Sequence, residues 1–196
     1  MAIVATNPRT LRGPWASGFA LDWHTLGSIP IGQNQWGHMQ FDTTRPPVGQ
    51  LLYELKYRNV DKQAKADDLA DTAADFVSRV WRLAPDAIVP VPPSNNRAVQ
   101  PVALVANGIS VRLGVPVCTD CLSKVKHTPQ LKDINDYDKR REVLKDAFQA
   151  NPAQCAGKNL LLFDDLHGSG ATTAYIVEVL KAAGAKAVYL LTLTTK

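Results

Sequence analysis

Apolar residues change their spacing along the chain, and each change marks an element. Over 18–23 and 37–42 they form short runs between turn residues, which predicts two strands. Pro46-Pro47 punctuates the chain. Val48, Leu51, Leu52, Leu55 and Tyr57 follow at mostly helical spacing. Leu69, Ala73, Phe76, Val77, Val80 and Trp81 share one face of a helix predicted over 64–83, which Pro85 ends. The pattern then alternates: a short buried strand over 86–91, a helix over 98–113 capped by Gly114, and a short strand over 115–118. Residues 122–145 are polar, with seven Lys/Arg and four Asp/Glu, and read as a mobile charged loop. The strongest buried-strand signal is Leu160-Leu161-Leu162-Phe163, within 158–165. A helix over 171–183, Gly184 as its cap, and an apolar strand over 187–193 complete the chain.

Strand, helix, strand, helix, strand implies an α/β fold around a mostly parallel central sheet flanked by helices. Residues 1–46 stand apart. They hold Trp15, Trp23 and Trp36, many glycines and no lysine, and predict a small β-rich cap or hood on a domain of residues 47–196.

Composition narrows this picture only a little. A chain of 196 residues has the size of one domain, and 45% hydrophobic with 20% charged residues is ordinary for a globular protein. The net charge of +4 suits an anionic small molecule as well as a nucleic acid. No stretch is long and apolar enough for a membrane span, and 1–10 does not read as a signal peptide, so the expected location is cytoplasmic. Three cysteines argue against a disulfide framework.

The candidate chemistry lies in Leu160-Leu161-Leu162-Phe163-Asp164-Asp165-Leu166-His167-Gly168-Ser169-Gly170-Ala171-Thr172-Thr173. A buried strand delivers two carboxylates to its carboxyl end, where open α/β sheets bind ligands. A loop with two glycines follows and opens a helix. Such a loop lets backbone N–H groups approach an anion, and the helix N-terminus adds free donors and partial positive charge. Hydroxyls of Ser169, Thr172 and Thr173 add further donors. The loop suits a phosphate monoester. The carboxylates suit vicinal ribose hydroxyls, or a Mg²⁺ ion held partly by the ligand.

This segment resembles the phosphoribosyl pyrophosphate (PRPP) signature of type I phosphoribosyltransferases. The resemblance implies that Asp164 and Asp165 bind the ribose hydroxyls, with Mg²⁺, and that Gly168, Ser169, Gly170, Ala171 and Thr172 wrap the 5′-phosphate. Other stretches resemble the competence protein F (ComF)-like branch: Asp86-Ala87-Ile88-Val89-Pro90-Val91-Pro92 followed by Arg97, a pyrophosphate loop in the family fold; Leu51-Leu52-Tyr53-Glu54-Leu55-Lys56-Tyr57-Arg58; and Thr128-Pro129-Gln130-Leu131 with Arg140 or Arg141 and Ala147-Phe148. Two features depart from that branch, and a third sets the chain apart from purine-salvage relatives. Pro101-Val102-Ala103-Leu104 replaces its Arg-Gly-Phe-Asn stretch, its N-terminal cysteine pairs are absent, and Gly168 stands where hypoxanthine and guanine salvage relatives carry an acid/base aspartate.

The implied activity is transfer of 5-phosphoribose from PRPP to an unidentified nitrogenous base or amine. Arg97 is the first candidate to stabilise the departing pyrophosphate; Lys124, Lys126 and His127 are the next, from a loop able to close over the site. The resemblance also implies a homodimer. A non-catalytic PRPP or nucleotide sensor, and a ComF-like accessory factor in DNA uptake or processing, are the competing readings; the second carries an expectation of salt-dependent DNA binding.

Three weaker features remain. Cys118-Thr119-Asp120-Cys121 reads either as two small residues at a strand end or as half a metal site, with Cys155 and His127 as further ligands. His167 reads either as a proton donor or acceptor beside the acceptor or as a turn histidine. Trp15, Phe19, Trp23 and Trp36 read as core of the β cap or as a stacking hood over a heterocycle.

Overall fold

The computed structural model of the chain describes residues 2–58, 60–94, 99–128 and 136–196. In chain order its strands are β1 (Arg9–Thr10), β2 (Gly18–Trp23), β3 (Gly27–Gln33), β4 (Met39–Thr44), β5 (Ala87–Pro90), β6 (Leu122–Lys124), β7 (Phe148–Ala150), β8 (Asn159–His167) and β9 (Ala187–Thr195). Its helices are α1 (Pro47–Tyr57), α2 (Lys62–Asp75), α3 (Pro101–Leu113), α4 (Tyr137–Leu144), α5 (Pro152–Cys155) and α6 (Ala171–Ala182).

The central sheet has the order β1-β2-β9-β8-β5, and all neighbours except β1 and β2 are parallel. The expected α/β architecture is therefore present. Strand β8 lies deep inside it. Its alternate side chains feed opposite faces: Leu160 and Leu162 join a core under α6 with Ile176, Val177 and Leu180, while Leu161 and Phe163 join a core with Leu52 and Leu55 of α1, Leu69 of α2 and Ile109 of α3. Burial on both faces explains why the strand reads as a continuous apolar run rather than an alternating one.

Several local expectations are corrected. Strand β2 does not belong to an N-terminal cap hairpin; it is inserted in the central sheet beside β9, with Gly18 opposite Leu190 and Trp23 opposite Thr195. Its residues Ala20 and Leu21 are fully buried, so the segment is paid back in core contacts that a small cap could not offer. The hairpin that does form is β3–β4, and its apolar side chains, including Ile29, Ile31 and Phe41, stand exposed. The single helix expected over 64–83 is α2 followed by a π-helical stretch, Phe76–Trp81. The wider winding sets Phe76 and Trp81 around Phe19, with ring centroids 5.4 and 5.1 Å from it, and lets the Trp81 indole donate to Ser17 Oγ at 3.1 Å. The strand expected over 115–118 is reduced to one bridge between Val117 and Ile88. The polar stretch 122–145 is not all loop: β6 pairs with β7, and α4 is capped by Asp136, whose carboxylate accepts from the Asp138 and Lys139 amides. Arg141 then clamps α4 to α6 through both Glu178 oxygens, at 2.9 and 2.8 Å.

Helix α1 is seated by a close approach. A Cβ on Gly49 would lie 2.7 Å from the His24 carbonyl oxygen and 3.2 Å from that of Trp23. Gly49→Ala is thus expected to push α1 off the end of β2, at a cost of about 1–3 kcal/mol. Urea unfolding monitored by circular dichroism checks this; an unchanged midpoint contradicts it.

Candidate functional site

A cleft of about 870 Å³ opens at the carboxyl ends of β5 and β8. That volume is in the range of small-molecule sites. Its floor is the end of β8, which runs on through Asp164 and Asp165 to His167. Because side chains alternate, the two carboxylates leave the strand on opposite faces. Asp165 meets α1, where Lys56 Nζ lies 2.8 Å from its Oδ2 in a largely buried ion pair. Asp164 has no such cation among the described residues. Its Oδ1 accepts the Asp165 amide, at 2.8 Å. Burial first, and the neighbouring Asp165 charge second, push the Asp164 carboxyl up from 3.8 to about 8; the Asp165 amide and Lys56 oppose this only in part. The pair is therefore unequal: Asp165 is held by an ammonium, while burial and the Asp165 charge oppose ionisation of Asp164.

The loop from Gly168 to Gly170 rises from this floor into α6. Gly170 caps α6 with φ of 77°. Only glycine adopts this freely, and a Cβ here would also lie 2.9 Å from the His167 imidazole. Gly170 has no side chain to cap the helix; the Ala171 amide donates to Ser169 Oγ at 3.5 Å, and the other first-turn N–H groups have no intrahelical acceptor. Gly168, Ser169, Gly170, Ala171 and Thr172 all line that cleft. Thr173 differs from expectation: its hydroxyl donates to the Gly170 carbonyl at 3.1 Å and is not available to a ligand. His167 serves as a wall of the loop. Its ring stands edge-on to Trp15 at 5.7 Å, burial lowers its pKa, and Nδ1 is buried without a partner among the described residues.

The rest of the lining comes from both sides. Val91, Pro92, Pro93 and Ser94 after β5 border one flank, with Pro101, Val102 and Ala103 of α3 beside them. Lys124 and His127 line the cleft, as do Leu122, Arg140 and Phe148. Lys124 Nζ lies 5.9 Å from the Phe148 ring centre, and burial lowers its pKa. Lys126 is exposed and is not among the lining residues, unlike Lys124 and His127. Arg97 lies outside the described residues, as does 129–135 of the expected flexible loop. None of Trp15, Phe19, Trp23 or Trp36 lines the cleft, which corrects the reading of these aromatics as a stacking hood. Trp15 and Phe19 are packing residues, and Trp36 is exposed.

Two lysines of the lining, Lys56 and Lys196, were given no site role in the sequence reading. Lys56 carried a signal: it falls four positions after Leu52 and next to Leu55, on the face that α1 buries. A lysine on an apolar face needs a partner, and a carboxylate of the same cleft supplies it. Lys196 had no comparable sign; only the register of β9 against β8 brings it to the cleft.

Cys118 and Cys121 form a disulfide, which corrects the readings as unpaired small residues or as metal ligands. Cys155 is buried beside them, its thiol donating to the Cys121 carbonyl at 3.5 Å. Among the described residues no group of three or more His, Cys, Asp or Glu side chains could hold a metal ion by itself. No described helix is long and apolar enough to cross a membrane.

The raised Asp164 pKa has a signed consequence. Between about pH 4 and 8 the folded protein keeps a proton that the unfolded chain gives up, so stability falls as pH rises through that window. Asp164→Asn removes this slope; identical pH profiles of the unfolding midpoint in both proteins contradict it. Gly170→Ala is expected to lower the melting temperature by several degrees (about 1–2 kcal/mol), whereas Gly168→Ala, where a Cβ meets nothing, leaves it within about a degree. Differential scanning calorimetry separates the two; equal shifts contradict the account.

No family model matches the chain, and no curated protein matches it. Solved structures do. Glutamine PRPP amidotransferase from B. subtilis, in complex with ADP and GMP, superposes with a TM-score of 0.50 at 18% identity, over 82% of this chain and 34% of that one. The chain thus spans about a third of the length of that enzyme. Adenine phosphoribosyltransferase from Saccharomyces cerevisiae is matched over 86% of this chain and 84% of its own at 17% identity, with a TM-score of 0.43. At such identities the likeness speaks for architecture, and the architecture it shows is the type I phosphoribosyltransferase fold.

Proposed function

We propose that this cleft binds PRPP with Mg²⁺ and that the protein transfers 5-phosphoribose to a nitrogen acceptor, releasing pyrophosphate. The observation that carries the reading is the joint placement of Asp164 and Asp165 with the start of α6 in one cleft. The backbone amides and the Ser169 and Thr172 hydroxyls take the 5′-phosphate; the carboxylates take the ribose hydroxyls. That glutamine PRPP amidotransferase shares the fold supports the same reading.

The donor set fits a Mg²⁺ ion that is bound mainly by its substrate. Two carboxylates cannot build an all-protein cage, but Mg²⁺ commonly takes one or two carboxylates and completes its shell with phosphate oxygens and water. When bound, the ion would offset negative charge on the diphosphate. In the transfer, the bond from the anomeric carbon to pyrophosphate breaks, a carbon–nitrogen bond forms on the opposite face, and the nitrogen loses a proton. Charge building on the leaving group is met by Lys124 and His127, which line the cleft, and by Arg97 as read from the sequence. The apolar wall of Pro101, Val102 and Ala103 restricts water, which would otherwise hydrolyse PRPP.

A screen of nucleobases and amines with PRPP and Mg²⁺, read by pyrophosphate release, tests the activity; at least one acceptor should accelerate release over the acceptor-free rate. Asp164→Asn with Asp165→Asn is expected to weaken PRPP binding more than about hundredfold by calorimetry, since each carboxylate hydrogen bond is worth about 1.5–3 kcal/mol. Full affinity in the double variant, or no acceptor-dependent release from the native protein, overturns the proposal.

A further inference from the structure

The disulfide between Cys118 and Cys121 has no part in the chemistry proposed above. Its two residues are only three positions apart, joined through the 3₁₀ turn Thr119–Cys121. A bridge over so short a loop removes little freedom from the unfolded chain. The backbone already holds both ends. The Cys118 amide donates to the Ile88 carbonyl at 2.8 Å, which ties that end to β5, and the Asn151 amide donates to the Cys121 carbonyl at 3.0 Å. Cys121 also joins the core under α6, and β6, which starts at the next residue, is paired with β7. The bond is therefore not needed as a staple.

Its two halves stand in different surroundings. Cys118 is half-buried and lines a second cleft of about 200 Å³, with Asp86, Gln154 and Lys158. Cys121 is fully buried and is not part of that lining. A thiol arriving from solvent therefore reaches the bond at Cys118. The other sulfur has an acceptor waiting: the Gln154 carbonyl oxygen lies 3.6 Å from Cys121 Sγ. In the disulfide that sulfur has no hydrogen to donate; as a thiol it has one. Cys155, the third cysteine, does not compete. It is fully buried, its S–H is donated to the Cys121 carbonyl at 3.5 Å, and burial pushes its pKa up, which keeps it a poor nucleophile.

We infer that Cys118–Cys121 is an exchangeable disulfide, and that Cys118 is the site at which a small thiol adds from the second cleft. The incoming thiolate forms a bond to Cys118 Sγ while the bond between the two cysteines breaks. Cys121 leaves with the electron pair and takes the proton that the incoming thiol gave up. A second thiol, attacking the outer sulfur of this mixed disulfide, completes the reduction. Cys118 then leaves as a thiol, and the two small thiols are joined as their own disulfide. The two cysteines gain the two electrons that the two small thiols lose. Thr119, between the cysteines, lines both clefts, so an adduct on Cys118 borders the larger one. Nothing in this inference depends on the PRPP reading.

The native protein, oxidised in air, is treated with millimolar reduced glutathione and quenched with acid at intervals. Intact-mass spectrometry is expected to show a single mixed disulfide, and peptide mapping to place it on Cys118, with Cys155 unmodified. Two variants then compare the sulfurs one at a time. Cys118 in Cys121→Ser should react with oxidised glutathione about tenfold or more faster than Cys121 in Cys118→Ser, because only Cys118 is accessible. Circular dichroism reports that each variant is folded; if one is not, the mapping on the native protein decides. Four results overturn the inference: no disulfide in the air-oxidised protein, reduction only at denaturant concentrations that unfold it, an adduct on Cys121 or Cys155, or equal rates in the two folded variants.

Discussion

Two carboxylates on consecutive residues at the end of a buried strand repel each other, and their surroundings resolve the repulsion unequally. Asp165 finds Lys56 at 2.8 Å; Asp164, half-buried beside it and without an ion pair among the described residues, has its pKa pushed up to about 8. In comparable buried pairs, loss of one partner costs about 3–5 kcal/mol, because the remaining charge is stranded. The arrangement persists because β8 is fixed on both faces by core residues and because α1 is seated closely enough for one lysine to reach across. Everything the cleft can do chemically follows from this. It offers one carboxylate paired with a lysine, one carboxyl whose ionisation is opposed, and beyond them the first amides of a helix.

The scaffold supplies these groups economically. The strand that carries the acids continues into the loop that turns at Gly170, so acids and helix amides are separated by only a few residues. The imidazole of His167 fills the space beneath that turn, which is why a side chain at 170 has no room. The opposite wall is assembled from parts distant in sequence: the loop after β5, the start of α3, and β6 with the residue after its extension, His127.

Much of this was legible in the sequence because the signals are local. The run 160–163 could only be a strand buried on both faces, and Asp-Asp followed by Gly-Ser-Gly and a helical pattern marked the site. What escaped depends on register and tertiary contact. Strand β2 reads the same whether it pairs in a cap or in the sheet; its place beside β9 is decided by fully buried Ala20 and Leu21. Lys126 and Lys124 look alike in sequence, yet only Lys124 lines the cleft. The π-helical turn at 76–81 arises from aromatic packing on Phe19, which no helical spacing encodes. Lys56 was visible as a lysine on an apolar face, but its partner lies more than a hundred residues away.

The central claim is that the start of α6 grips a sugar phosphate while the end of β8 grips its hydroxyls. Backbone amide shifts followed by NMR during titration with ribose 5-phosphate test it most directly. Saturable shifts concentrated at residues 164–165 and 168–172 are the predicted result. Shifts elsewhere with none at those amides, or no shifts at all, contradict it.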